Sequence, residues 1–206
     1  MAKKAFVYDG TNWVDIAQST TDLSAYQTVD RTGLNVVVPT GATNGTVSAN
    51  GAVTIGSAVS SVTVSGAFSA TYDNYLIILS GGVGSTATGI NLTLGSTATG
   101  YYRGGNYTSY ATTTVTGVAG NNVTNWQSIG VASTTSLDAR VELYDPFLEK
   151  NTKMRGSYAS ALTTGESLVQ QGFLNNTTSY TDFTFTKASG TLTGGTIRIY
   201  GYNNGA

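Results

Sequence analysis

The densest set of side chains able to move a proton is Asp138, Glu142, Asp145 and Glu149. Paired carboxylates flanking a glycosidic bond are the equipment of glycan cleavage, one acting as acid and the other as base or nucleophile. Here the acids interleave with Arg140, Lys150, Lys153 and Arg155 around the dipeptide Asp145-Pro146. Mixed charge on two strand-like runs joined by a proline turn reads as a solvated hairpin or a contact between subunits, with glycan cleavage as the alternative. The sequence contains no histidine and no cysteine. Ser-His-Asp and Cys-His nucleophilic sites are therefore excluded, and a zinc site would have to be built from carboxylates alone. Gly81-Gly82-Val83-Gly84 follows a strand-like run, but neither a helical pattern nor a lysine comes after it, so it fails as a phosphate loop. No catalytic residue, metal or cofactor is expected, and the chain does not read as an enzyme.

The other cluster with chemical content is aromatic. Tyr101, Tyr102, Tyr107 and Tyr110 surround Arg103, Gly104, Gly105 and Asn106. Tyrosines with Arg and Asn on a Gly-rich loop suit stacking on sugars, with the polar groups fixing hydroxyls. We take Tyr101, Tyr102, Arg103, Asn106, Tyr107 and Tyr110 as candidate recognition residues; packing at strand ends or between subunits is the competing reading. Trp13 and Trp126 read as core or interface residues.

The elements that would position these groups are strands. Only 10% of the residues are charged, against 26 glycines and 13 tyrosines, and the net charge is −1. A charge fraction well below the roughly 25% of ordinary domains leaves little for proton chemistry. No global field draws the chain to nucleic acid or to anionic lipid. No apolar run approaches the roughly 20 residues of a membrane-spanning helix, so no membrane insertion is expected. The N-terminal Met1-Ala2-Lys3-Lys4 precedes no apolar signal segment, so no signal peptide is expected and the protein would be made in a cytoplasm.

Seven charges fall between Lys3 and Arg31, and the next is Asp73. That shift divides the chain into an N-terminal arm over 1–31, a linker or extended segment over 32–58, and a β-sandwich over 59–206. Within the middle segment, Leu34–Val38 reads as a short apolar strand stopped by Pro39, and 40–58 as a linker or a thin, loosely patterned strand pair. In the arm, Ala5–Tyr8 and Asn12–Ile16 flank Asp9-Gly10, a hairpin signal. Thr21–Tyr26 is the one helix candidate. From Val59 onward, strand-like runs recur about every 8 to 14 residues between turn residues. We read them near 59–64, 74–80, 90–94, 111–118, 126–131, 139–144, 154–160, 168–174, 180–186 and 195–202. Val141 and Leu143 share a face, as do Phe183 with Phe185 and Ile197 with Ile199, the period of a sheet packed on one side. Gly-Ser-Thr-Ala-Thr-Gly occurs at 84–89 and again at 95–100, bracketing a strand like two meander loops. The expected fold is all-β: an antiparallel β-sandwich, jelly-roll-like, with an extended N-terminal arm containing a small hairpin.

Three stretches together resemble virion proteins of tailed bacteriophages, including those of cyanobacteria. Ala5–Ile16 is similar to a short N-terminal module of such fibre and appendage proteins. Phe68–Leu79 is similar to the segment opening their β-sandwich, and Gly194–Tyr202 to its last strand. The resemblance implies a homotrimer located on the virion, held by other tail or capsid proteins through its N-terminal part. Phe6, Tyr8 and Trp13 are then the candidate anchoring residues, and the projecting sandwich contacts the host, with a surface glycan as partner. A capsid decoration or cement protein is the alternative within that class, and a glycan-cleaving tailspike-type enzyme the alternative outside it.

Overall fold

The computed structural model describes residues 6–8, 11, 13–15, 33–160 and 165–203. They fall into two compact units, residues 1–32 with 205–206, and residues 33–204. In the first unit, β1 (Phe6–Tyr8) pairs antiparallel with β2 (Trp13–Asp15), in a register that sets Tyr8 opposite Trp13. The small hairpin of the arm is thus present. The helix candidate over Thr21–Tyr26 lies outside the described residues.

The second unit is built of strands, all paired antiparallel: β3 (Gly33–Val36), β4 (Gly41–Thr43), β5 (Gly45–Val47), β6 (Val53–Ile55), β7 (Ser61–Ser65), β8 (Asn74–Gly84), β9 (Thr88–Leu94), β10 (Tyr101–Ser109), β11 (Val115–Val123), β12 (Trp126–Ala132), β13 (Leu137–Tyr144), β14 (Lys153–Ser160), β15 (Glu166–Leu174), β16 (Phe183–Lys187) and β17 (Leu192–Asn203). Their hydrogen-bond ladder is continuous through 15 strands, yet it folds on itself. The fold point is β13. One of its edges is taken by β8 from Asp138 to Tyr144, so the other is shared. Leu137–Ala139 pair with β12, and Arg140–Tyr144 pair with β14. The sheet therefore splits into a front layer, β11-β10-β15-β14-β13-β8-β17, and a back layer, β12-β9-β16-β7-β4.

Period-two patterning drives the layers together. Ile77, Leu79, Val141, Leu143, Ile197 and Ile199 from the front pack in one core with Val62, Val64, Leu92, Leu94, Phe183 and Phe185 from the back. Each fully buried aliphatic or aromatic side chain contributes on the order of 1.5–3 kcal/mol relative to exposure, and this shared core is what makes the arrangement a sandwich. Trp126 is fully buried in it, as a core residue should be.

Three expectations are corrected. The strand expected over Leu34–Val38 is present as β3, and residues 40–58 form paired strands rather than a linker. Val53 and Ile55 are core residues, and β3 and β6 pair with β17 while β4 pairs with β7. These strands are only three or four residues long, too short for periodicity to declare itself. Residues 101–109 are not a loop but the strand β10, paired on both edges. Gly104-Gly105 looks like a turn, whereas a Cβ on Gly105 would sit 2.4 Å from the carbonyl oxygen of Val169, so that glycine is there to let two strands meet. Finally, the two Gly-Ser-Thr-Ala-Thr-Gly copies are not meander loops. β9 belongs to the back layer, and each copy carries the chain between layers, from β8 to β9 and from β9 to β10.

Candidate functional site

Alternation along β10 divides the predicted recognition residues into two groups. Tyr101, Arg103 and Tyr107 face inward. Tyr101 is fully buried; its hydroxyl accepts from the Leu94 amide at 2.9 Å and donates to the Thr97 carbonyl at 3.1 Å. Burial pushes its phenol well above the ordinary range. The Arg103 guanidinium donates to Gln170 at 3.0 Å and to Gln127 of the back layer at 3.1 Å, so it bridges the layers. Burial lowers its pKa. Gln170 closes the network by donating to the carbonyls of Gln127 and Ser128. Tyr107 packs against a small second core of Val131, Tyr158 and Leu168. Tyr110 lies beyond the strand, exposed, with its ring against Gly165. These four are therefore not gathered into one recognition surface. Tyr102 and Asn106 alternate with the inward residues and face out.

What Tyr102 and Asn106 join is the outer face of the front layer. Cross-strand register places Tyr102, Phe173, Lys153, Tyr144 and Asn74 in one row. Gly104, Gln171, Arg155, Glu142 and Leu76 form the next row, and Asn106, Val169, Ser157, Arg140 and Ile78 the third. Two contiguous hollows lie over these rows. The larger, about 1130 Å³, is bordered by Tyr102, Phe173, Lys153, Tyr144 and Asn151; the smaller, about 390 Å³, by Asn106, Val169, Ser157, Arg140 and Glu142. Gly104, Arg155 and Gln171 line both. A Cβ on Gly104 would meet nothing within 4 Å, so the missing side chain is part of what keeps the trough open.

The Tyr102 and Phe173 rings stack at 4.8 Å between centroids with planes 2° apart. Phe173 has Tyr102 on one side across the ladder and Lys153 on the other, and its ring is exposed at the border of the trough. Two features hold Tyr102 in place. The Trp126 indole donates to its carbonyl at 3.2 Å. A bulge sets Asn121 and Asn122 against the single residue Tyr102, and the Asn122 side chain accepts from the Gly100 amide at 3.0 Å. Bulges of this kind re-aim side chains beside functional surfaces.

The acids flagged in the sequence do not converge. The Asp138 carboxylate accepts from the Ala159 amide at 2.9 Å. Glu142 accepts from Tyr144 at 2.9 Å, and from Arg140 and Tyr202 at 3.2 Å each. Burial pushes its carboxyl up, and those hydrogen bonds outweigh burial and hold it below the usual carboxylate range. A general acid for glycoside cleavage needs the opposite shift. Among the described residues no group of three or more acidic side chains is placed to hold a metal ion. Arg155 and Lys153 are exposed like Arg140, but among the described residues neither has an ion-pair partner, whereas Arg140 pairs with Glu142.

No protein-family model matches the chain, and no curated protein or solved structure is significantly similar to it.

The sequence missed Phe173, Lys153, Arg155 and Gln171 as site residues. Alternation within 168–174 and 153–160 marks them as outward-facing; only the pairing of β10 with β15 and of β15 with β14 brings them beside Tyr102. In the arm, Tyr8 is exposed and sits opposite Trp13, and Phe6 opposite Asp15. Among the described residues no helix is long and apolar enough to cross a membrane.

Proposed function

We propose that this chain is a structural protein of a tailed-bacteriophage virion, a tail- or capsid-attached fibre whose sandwich contacts the host surface through the outer face of its front layer. The observation that carries the reading is the open trough on that face, bordered by the Tyr102–Phe173 stack and lined by planar polar side chains. An aromatic surface beside amides and guanidinium groups is a binding surface for weak, repeated contacts, and assembly as a homotrimer would multiply them into avidity. The resemblance of Ala5–Ile16, Phe68–Leu79 and Gly194–Tyr202 to virion proteins supports the assignment, with residues 1–31 as the anchoring arm and Phe6, Tyr8 and Trp13 as its contacts.

A second reading, capsid decoration, is favoured by β11. Among the described residues this strand pairs with β10 alone, and its nine residues carry no charge. An uncharged free edge suits pairing with another chain of a shell.

Immunogold labelling of intact virions with antibodies raised against residues 59–202 tests both. Gold on the tail or on projecting fibres is expected for the first reading, together with loss of host adsorption in a Tyr102→Ala/Phe173→Ala virion. Gold over the head, with particles that burst more readily on heating when the protein is missing, selects decoration. Particles that carry no gold and, by mass spectrometry, no copy of the chain would end the virion assignment.

A further inference from the structure

We infer that the trough on the outer face of the front layer binds an anionic polysaccharide, with Lys153 and Arg155 reading its carboxylate or sulfate groups and the exposed ring of Phe173 packing on its sugar rings. The inference rests on reading this face as the host-contact surface and names the class of ligand that it takes.

Charge is the first argument. Lys153 and Arg155 lie one pleat apart on β14 and point out of the sheet, between Phe173 and Gln171 on one side and Tyr144 and Glu142 on the other. Two acids line the hollows: Glu142 is already engaged by Arg140 and two tyrosine hydroxyls, and Asp145 borders the larger hollow, so Arg140, Lys153 and Arg155 outnumber them. Two cations without ion-pair partners among the described residues, in an open trough, are complementary to a ligand that brings negative charge.

Shape is the second argument. The trough lies over four hydrogen-bonded strands, so backbone donors and acceptors beneath it are committed to the ladder. An extended peptide gains most from unpaired backbone at a sheet edge, which this face does not offer. A chain of sugar rings needs no backbone partners: rings stack on an aromatic face, and hydroxyls bond to amides such as Gln171 and Asn151. Single-stranded nucleic acid also combines stacking with negative charge, but it is bound along cationic grooves with successive aromatic platforms. Here the chain carries a net charge of −1, and the trough has one aromatic stack.

The test uses the full chain and titration calorimetry with four probes of similar length: an oligogalacturonate, a sulfated oligosaccharide, a neutral cello-oligosaccharide and an oligo-dT. The charged saccharides are expected to bind with an affinity that falls as salt rises, and whichever of the two binds tighter identifies the anionic group. Lys153→Gln/Arg155→Gln should weaken that binding at least tenfold. Gly104→Val should also abolish it, because the added side chain enters the trough while its Cβ meets no protein atom. Unchanged circular dichroism and melting temperature show that either variant is folded. Binding of the neutral saccharide that equals the charged ones and survives Lys153→Gln/Arg155→Gln overturns the anionic class, yet leaves a host-contact face in place. Tighter binding of oligo-dT than of either charged saccharide overturns the inference, as does binding of no probe. Immunogold labelling decides the virion reading separately from all of these.

Discussion

The ring of Tyr102 lies parallel to that of Phe173, 4.8 Å away and within 2°, although the two residues come from strands that are far apart in the chain and adjacent in the sheet. Each ring therefore fixes the other's orientation on an otherwise open face. An aromatic pair of this kind is worth about 0.5–1.5 kcal/mol beyond its buried area. A double-mutant cycle of Tyr102→Ala and Phe173→Ala, followed by chemical denaturation, should return a coupling of about that size. Strictly additive losses would mean that the rings do not support one another.

The neighbour of Tyr102 behaves differently. Tyr101→Phe removes the hydroxyl that satisfies the Leu94 amide and the Thr97 carbonyl inside the sandwich. The expected loss is about 1–3 kcal/mol of stability, the cost of leaving a buried polar group without a partner. Ligand binding at the outer face should be unchanged. Tyr102→Phe, on the exposed side, should barely move the denaturation midpoint. A Tyr101→Phe protein with normal stability and impaired binding would contradict the inward placement.

Two glycines near the site respond in opposite senses. A Cβ on Gly172 would lie 2.1 Å from the Tyr102 carbonyl oxygen, a backbone atom that cannot swing away. Gly172→Ala should cost at least about 1–3 kcal/mol through overpacking and should displace Tyr102. Gly104→Ala enters open space in mid-strand and should stabilise by about 0.5–1 kcal/mol through the unfolded chain's lost freedom. Thermal melts of the two variants distinguish them directly.

Glu142 makes stability depend on acid pH. Its folded-state pKa is held below the ordinary 4.5, despite burial, by hydrogen bonds from Tyr144, Arg140 and Tyr202. A depressed carboxylate contributes stability above its unfolded pKa and loses it as pH falls through the folded value. The stability gap between the native protein and Glu142→Gln should be full at pH 6 and should close progressively below about pH 4.5. A gap that is flat across this range would show that the carboxylate's charge is not what these three donors hold.

Lys187 does the reverse at alkaline pH. The residue is 4% exposed; its ammonium donates to the carbonyls of Thr88 and Ala132 and to the Thr88 hydroxyl, and burial pushes its pKa from the ordinary 10.5 down to about 8. Below pH 8 the lysine is charged in both states, and the cost of burying it falls fully on the fold. Between pH 8 and 10.5 the unfolded chain holds more protons, so this group's contribution to stability rises with pH. Denaturation midpoints of the native protein relative to Lys187→Met should therefore increase over that window, the variant removing the background of titrating tyrosines. No relative increase would place the lysine's pKa at its ordinary value.

The period-two runs Val141/Leu143, Phe183/Phe185 and Ile197/Ile199 make the antiparallel sandwich legible, because one buried face per strand leaves no other arrangement for their apolar side chains. Asp9-Gly10 between two β-like runs likewise announced the hairpin of Phe6–Tyr8 with Trp13–Asp15. The short apolar strand at Leu34–Val38 was legible and is β3, whereas the strands of 40–58 showed at most as a thin, loosely patterned pair. Three-residue pairings at sheet edges carry too few residues to show a period, and Val53 and Ile55 reveal themselves as core only when β17 lies beside them.

The site divides along the same line. By itself the sequence determined that the chemistry is not that of histidine, cysteine or a nucleotide loop, and that aromatic and amide side chains gather near Tyr101–Tyr110. It also determined the alternation that sends neighbouring side chains to opposite faces. Which of those faces meets the core was decided only by the tertiary structure. Two glycines in mid-strand hid β10, and a one-residue difference in phase exchanges Tyr101 for Tyr102 as the outward ring. The partners of Tyr102 were decided there as well: Phe173, Lys153 and Arg155 reach it through long-range pairing of β10 with β15 and β15 with β14, and local residue patterns carry no information about which distant strand will complete a ladder.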